Sequence, residues 1–382
     1  MLSGVAATLM RMAVRLALMT ALFVVGCAGP PSVASPQPSI GQSPAVNEID
    51  GLVVAMEAAV LAGDEAAYLS LVDLSDPVFA LEHTRWADDW AGPHPPREYA
   101  LTLANLEINH QTAAGQLTVT WTLARDEGPR TATFPVRFVH GSGGWRYAGE
   151  SWVATDVPHF RVLVAPGLED AVPTIVADLP GIYDRVTTSI GYQPAGSMEI
   201  KVYADGAGLV ANTLLSLPNI HGWNEPGEAL KLWIDPEIPS VSPAIAHEFT
   251  HFIGFDRAGT RRSLMPWWLD EGVATFVAAA YESPERGAER LARVVAWQAA
   301  GELAPWAEMA VFEETPRELW QFAYLQGYSM VRYVTETYGD EMRNAWLAAM
   351  ATEMTIDDAT PAALGVSFDE LDTGFRQWLA AQ

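Results

Sequence analysis

From position 49 onward, apolar side chains recur every three or four residues: Ile49, Leu52, Val53, Met56, Val60 and Leu61. This is the spacing of one helical face, and it predicts a helix. Gly63 breaks the pattern, and Asp64 can cap a second short helix carrying Tyr68 and Leu71. A third helix is predicted over roughly 78–90, ended by Pro93, Pro95 and Pro96. The period then changes to two. Segments 101–108, 117–123 and 134–139 alternate in the manner of half-buried strands. A glycine-rich turn at 140–144 leads to a fourth such segment, 145–152. Helices followed by an antiparallel meander predict an α+β unit over 46–156.

The remainder, 157–382, reads differently. Strand-like runs at 160–164, 198–203 and 229–234 are separated by an amphipathic helix over 168–190 and a short helix over 206–215. Beyond 240 the pattern is mostly helical. The second unit is expected to be a small mixed sheet followed by a helical region, so the whole chain is α+β. The element order of the first unit, with its ending "GGWRYAGESW" at 143–152, resembles the cone-shaped nuclear-transport-factor-like fold. That resemblance implies an accessory domain and names no ligand. His83, His94, His110 and His140 are scattered over its elements and read as surface or hydrogen-bonded histidines.

The first 45 residues fit neither pattern. Residues 1–26 hold no acidic side chain, and Arg11 and Arg15 precede an apolar run over 16–25. The run is short for a transmembrane helix, which needs ~20 apolar residues. The layout is that of a secretory signal. It closes on Val24-Val25-Gly26-Cys27, which resembles a bacterial lipobox. The resemblance implies a signal peptide over 1–27, lipidation of Cys27, and an extracytoplasmic, membrane-anchored lipoprotein. Residues 28–45 carry five prolines, four serines and no charge, and read as an extended linker.

Composition narrows the classes further. The 382 residues carry a net charge of −25, and only Lys201 and Lys231 are lysines. Such a chain repels phosphate, which excludes a nucleic-acid partner. Cys27 is the single cysteine, so neither an internal disulfide nor a cysteine-based zinc site is available.

The histidines and carboxylates leave another route to a metal. His247-Glu248-Phe249-Thr250-His251 is an H-E-x-x-H motif in a helical context, where Ser242 can cap and Pro243 suits the first turn. Residues four apart share a helical face, so both imidazoles can reach one zinc ion. Glu248 lies beside that face, where it can take a proton from the attacking water and pass it to a leaving amine. After an expected loop over 255–265 comes Trp267-Trp268-Leu269-Asp270-Glu271-Gly272-Val273-Ala274.

"HEFTH" followed by "WWLDEGVA" resembles the gluzincin metallopeptidases, of the peptidase-MA-like group. The resemblance implies zinc held by His247, His251 and Glu271, with Asp270 the weaker candidate for the third position. Tyr324-Leu-Gln-Gly327 resembles that group's Y-x-x-G segment and implies that Tyr324 stabilises the oxyanion; the other reading of Tyr324 is a core aromatic. The metzincin pattern would put Arg257 at the third ligand, and arginine cannot ligate.

Several positions depart from the gluzincin pattern. The aminopeptidase G-x-M-E-N segment is matched only by Gly222-Trp223-Asn224-Glu225, with asparagine and glutamate reversed. The acidic partner expected four or seven residues beyond Glu271 is replaced by Thr275 and Ala278. Arg257, Arg261 and Arg262 form a basic cluster able to hold a substrate carboxylate or to pair locally. The strand over 229–234 can pair with an extended peptide if it lies at a sheet edge. The expected function is a zinc metallopeptidase acting on peptide or protein, with Glu248 as general base. The alternative is a noncatalytic, zinc-stabilised binding lipoprotein. Nothing in the sequence sets the oligomeric state.

Overall fold

A computed structural model describes residues 43–92, 94–124, 128–217, 220–234, 240–259 and 263–382. The signal segment, Cys27 and the linker before Ser43 lie outside the described residues, as do Arg261 and Arg262.

Three helices open the described chain: α1 (Pro44–Ala62), α2 (Glu65–Ser70) and α3 (Pro77–Ala91). Gly63, in the left-handed region at φ 65°, ends α1, and the Asp64 carboxylate accepts the Ala67 N–H to start α2. Four strands follow as an antiparallel meander: β1 (Glu98–Asn109), β2 (Thr112–Thr122), β3 (Arg130–Gly141) and β4 (Gly144–Glu150). The inward residues of this sheet pack on the helices around Trp86, Trp90, Trp121 and Phe138. His83 is buried there, and its Nδ1 lies 2.9 Å from the Tyr68 hydroxyl. Burial pulls its pKa down to about 3, so it is neutral.

The second sheet has five strands in the order β5-β6-β7-β9-β8. They are β5 (Val153–Val157), β6 (Phe160–Val164), β7 (Met198–Tyr203), β8 (Gly222–Trp223) and β9 (Leu230–Trp233). β6, β7 and β9 are parallel, and β5 and β8 run antiparallel at the two edges. Neither edge strand was expected. β9 corresponds to the strand expected over 229–234, and it is internal, covered on its outer side by β8. Between β6 and β7 runs α4 (Val172–Ile190), and α5 (Gly206–Ala211) follows β7. Val210, Ala211, Leu215 and Leu217 pack into the core of the first sheet, where Ala211 and Leu215 carbonyls accept the Trp86 and Trp121 indoles.

The helical region comprises α6 (Ser242–Ala258), α7 (Trp267–Ala278), α8 (Pro284–Ala300), α9 (Trp320–Ala351), α10 (Ile356–Leu364) and α11 (Phe368–Ala380). α9 is broken at Gly339, whose φ of 85° is not helical. Ile200, Val202, Leu230 and Leu232 of the sheet pack on Ile182 and Val186 of α4 and on Ile245 and Phe249 of α6. Two sequence expectations need correction here. Ser242 is the first helical residue rather than a cap, and its hydroxyl donates to Asp178. α6 continues to Ala258, so the connection to α7 is shorter than the loop expected over 255–265. The fold class is the expected one: α+β, an antiparallel sheet with helices, then a mixed sheet with a helical region.

The opposite side of the second sheet is polar and faces the first unit. Lys201 of β7 and Lys231 of β9 are register partners, and both are buried. Glu82 of α3 receives both ammonium groups, Lys201 in a short contact and Lys231 at 3.3 Å. Lys231 also donates to Glu228 at 2.6 Å, and Arg85 of α3 reaches the other Glu228 oxygen at 2.7 Å. The Tyr203 hydroxyl donates to Glu150 of β4. Buried charges persist only when paired and hydrogen-bonded. Burial opposes the ionised Glu82, but the two lysines prevail and hold its pKa down to about 2.

Candidate active site

α6 carries the H-E-x-x-H sequence. His247 and His251 sit one turn apart, and their Nε2 atoms approach to 3.2 Å. α7 packs alongside and presents Glu271. Its Oε2 lies 3.1 Å from His247 Nε2 and 3.6 Å from His251 Nε2. The close approach of α7 to α9 depends on Gly272 and Gly327, which meet backbone to backbone. A Cβ on either would overlap the other helix.

These three atoms fit a metal. A tetrahedral zinc with ligands at ~2.0–2.1 Å sets any two of them about 3.3 Å apart. The measured separations bracket that value, and two imidazoles with one carboxylate are an established zinc donor set.

The atoms behind them are held as well. The other Glu271 oxygen, Oε1, accepts the Trp267 indole N–H at 3.0 Å. His251 Nδ1 is 3.0 Å from Asp270 Oδ2, although the contact is too bent to be a well-formed hydrogen bond. Asp270 thus stands behind a histidine rather than beside the three converging atoms. It is the acidic side chain beside His251 where Thr275 and Ala278 supply none. The signal was present in the sequence as the Asp-Glu pair in the first turn of α7. Burial alone would lower the His251 pKa, but the Asp270 and Glu271 carboxylates raise it well above the usual value. Burial works against the ionised Glu271, and the two histidines overcome it and push its pKa far down.

Glu248 lines the same cleft and is buried. Burial raises its pKa, the histidines oppose that, and the Glu271 and Asp270 charges reinforce it. Gly222 of β8 lies against its carboxylate so closely that a Cβ there would collide with it. Tyr324 of α9 lines the cleft too, its ring 6.1 Å from the His247 ring at 26°. Burial, with Glu271 and Glu248 nearby, raises its pKa well above the usual value, so it is a neutral O–H donor.

The cleft has a volume of about 650 Å³. Along one wall run Gly222, Trp223, Asn224 and Glu225, the segment whose order departs from G-x-M-E-N. Asn224 is buried, yet neither carboxamide atom has a hydrogen-bond partner among the described residues. An orphaned buried amide in a cleft wall is open to hydrogen bonding with whatever fills the cleft, water or a polar ligand. Burial pushes the Glu225 pKa up to about 7, with Arg85 opposing and Glu228 adding to it. Gln326, at the lysine position of the Y-x-K-G pattern, is turned away and clamps both the N–H and the carbonyl of Ala304. Arg257 is likewise committed elsewhere, lying over the Tyr192 ring and donating to the Gly191 carbonyl.

Residues 236–381 match the family model of the Peptidase MA superfamily. No curated protein matches the chain. Among solved structures, the M1 zinc metallopeptidase from Deinococcus radiodurans is 16% identical, with a TM-score of 0.42 over 74% of this chain and 64% of its own. Native yeast LTA4 hydrolase is 11% identical, with a TM-score of 0.41 over 72% of this chain and 67% of its own. An NTF-2-like protein of unknown function from Shewanella oneidensis is 16% identical, with a TM-score of 0.22, and covers 27% of this chain. The stretch that brings His247, His251 and Glu271 together is therefore similar to the Peptidase MA superfamily.

Proposed function

We propose that the protein is a zinc-dependent metallopeptidase that hydrolyses peptide bonds. The observation that carries this reading is the convergence of three ligand atoms beside a buried, otherwise unused carboxylate in one cleft. His247, His251 and Glu271 would hold the metal. When bound, zinc supplies a Lewis acid for the scissile carbonyl. Glu248 accepts the proton of the attacking water and returns it to the leaving amine, which balances the hydrolysis. Its raised pKa brings it nearer to neutrality, where a carboxylate is a better base. The Tyr324 hydroxyl donates to the developing oxyanion. The Asn224 carboxamide supplies a donor and an acceptor for the substrate backbone.

The reading extends to location. A cleaved signal and a lipidated Cys27 would hold the enzyme on the outer side of a bacterial membrane by acyl chains. Mass spectrometry of the mature N-terminus tests this directly, and an unmodified Cys27 in cell-envelope preparations would remove the anchor.

Purified protein is expected to carry one zinc per chain, to cleave members of a mixed peptide library, and to lose activity to a chelator. Zinc at 100 times its Kd should stabilise the fold by about 2.7 kcal/mol. A His251→Ala protein should bind none and show no such shift. Zinc without cleavage of any peptide would leave only the binding role of a noncatalytic lipoprotein. Asp270→Asn tests the support behind His251 separately. It should weaken zinc affinity about 10–100-fold, measured by competition with a chelating dye, while the fold is retained.

A further inference from the structure

The cleft is lined by six carboxylates, among them Glu225 and Glu313 toward β8, and by a single arginine or lysine among the described residues, Arg290. Arg290 belongs to α8, which carries no recognisable sequence motif. Arg286, Arg290 and Arg293 are spaced by four and three along α8 and so share one face. Together with Glu289 and Leu325 they line a second cavity of about 400 Å³. Arg290 and Leu325 line both cavities, so the second adjoins the cleft.

The local charges are incompletely matched. Glu282, itself nearly buried, grips Arg290 with both oxygens, one of them at 2.6 Å from Nη2. This bidentate pair fixes the Arg290 guanidinium at the junction. Arg286 stands 3.8 Å from the same Glu282 carboxylate and is largely exposed. Arg293 has no ion pair among the described residues, and Glu289 makes none either. Three guanidinium groups thus stand on one face in a chain of net charge −25, with the buried acid spent on the middle one. Elsewhere the cleft wall repels anions. Among the described residues, this is the end of the cleft that carries guanidinium groups.

We propose that the α8 arginines bind a carboxylate of the substrate, so that the enzyme prefers peptides with a negative charge on the α8 side of the scissile bond. The inference rests on the peptidase reading. The carboxylate is either the free C-terminus of the peptide or an Asp or Glu side chain, and one chemistry serves both. Arg286 and Arg293 receive it, and Arg290 marks the path from the metal ligands.

The test uses the full-length zinc-loaded protein and one fluorogenic peptide core in matched forms. One pair differs only in a free C-terminal acid against its amide. A second set carries Glu, Gln or Lys at each position on either side of the cleaved bond. The expected result is a kcat/KM at least 10-fold higher for the carboxylate form than for its neutral isostere. The pair or set that shows the preference identifies which carboxylate is read. In the double variant Arg286→Glu/Arg293→Glu, that ratio should fall to one or below, and Lys should become the favoured residue. An unchanged ratio in the variant, or no preference in the unmutated protein, overturns the proposal. If neither protein cleaves any peptide, the peptidase reading fails on its own. Fluorescence anisotropy of the same labelled peptides then decides the arginine site. Binding at least 10-fold tighter for the acid form, lost in the variant, supports it, and equal binding of acid and amide overturns it.

Discussion

Replacing Glu248 with glutamine should lower kcat by about 10²–10⁴-fold while leaving zinc content and thermal stability close to those of the unmutated protein. Glutamine has nearly the same shape as glutamate, so the tight fit against Gly222 is kept. The three ligand atoms belong to other residues and are not touched. What disappears is the acceptor for a proton, because a carboxamide cannot take one at neutral pH. Two further carboxylates of the cleft, Glu271 and Asp270, are committed to other contacts. Glu271 is turned to the histidines and Trp267, and Asp270 stands against His251 Nδ1. The measurement is a steady-state rate alongside metal analysis of both proteins. A variant that retains full activity with full zinc would remove Glu248 from the chemistry and move the base elsewhere in the cleft.

The largest loss of stability is expected at a residue far from the cleft wall in sequence and absent from any motif. Glu82→Ala should destabilise the fold by about 3–5 kcal/mol, because it strands the buried Lys201 ammonium and removes one of the two partners of Lys231. Among the described residues Lys201 has no other carboxylate within 4 Å, and Lys231 is left with Glu228 alone. Denaturant unfolding at neutral pH measures the loss. Adding Lys201→Met to the variant should recover part of it, since the double change removes the uncompensated charge as well as its partner. A double variant no more stable than the single one would show that the cost lies in packing and not in charge. The same group sets a pH dependence. Its pKa in the folded protein is about 2, below the ordinary value of 4.5, so its stabilising contribution is fully present above 4.5. As the pH falls from there toward 2 the contribution should fade, and Glu82→Ala should show no such component.

The ligand set was legible in the sequence because its determinants are local. Two histidines four positions apart share one helical face, and "WWLDEGVA" announces the next helix with its glutamate. The supports of those ligands were harder to read. Asp270, the weaker candidate for the third position, lies on another face of α7 from Glu271, and that face is the one that meets His251. β8 is two residues long, too short to show any alternation, so the sequence pattern does not reveal the strand that walls the cleft and leaves β9 as a possible edge. The helix carrying the motif runs further than expected because Phe255 and Ala258 continue its pattern past Gly254. The polar side of the second sheet was the hardest. A lysine between Ile200 and Val202 reads as a solvent-facing residue of an alternating strand. Its burial depends on Glu82, 119 positions earlier, which no window of the sequence connects to it.

That arrangement leaves the folded body without a single side-chain amine open to solvent, since Lys201 is 4% and Lys231 1% exposed and no other lysine exists. Reagents that acylate or reductively methylate amines therefore have nothing to modify in the intact molecule beyond a free N-terminus. Modification at either lysine must wait until the two sheets part. Its rate, followed by mass spectrometry, becomes a clock for that opening, one that runs in the native protein without denaturant.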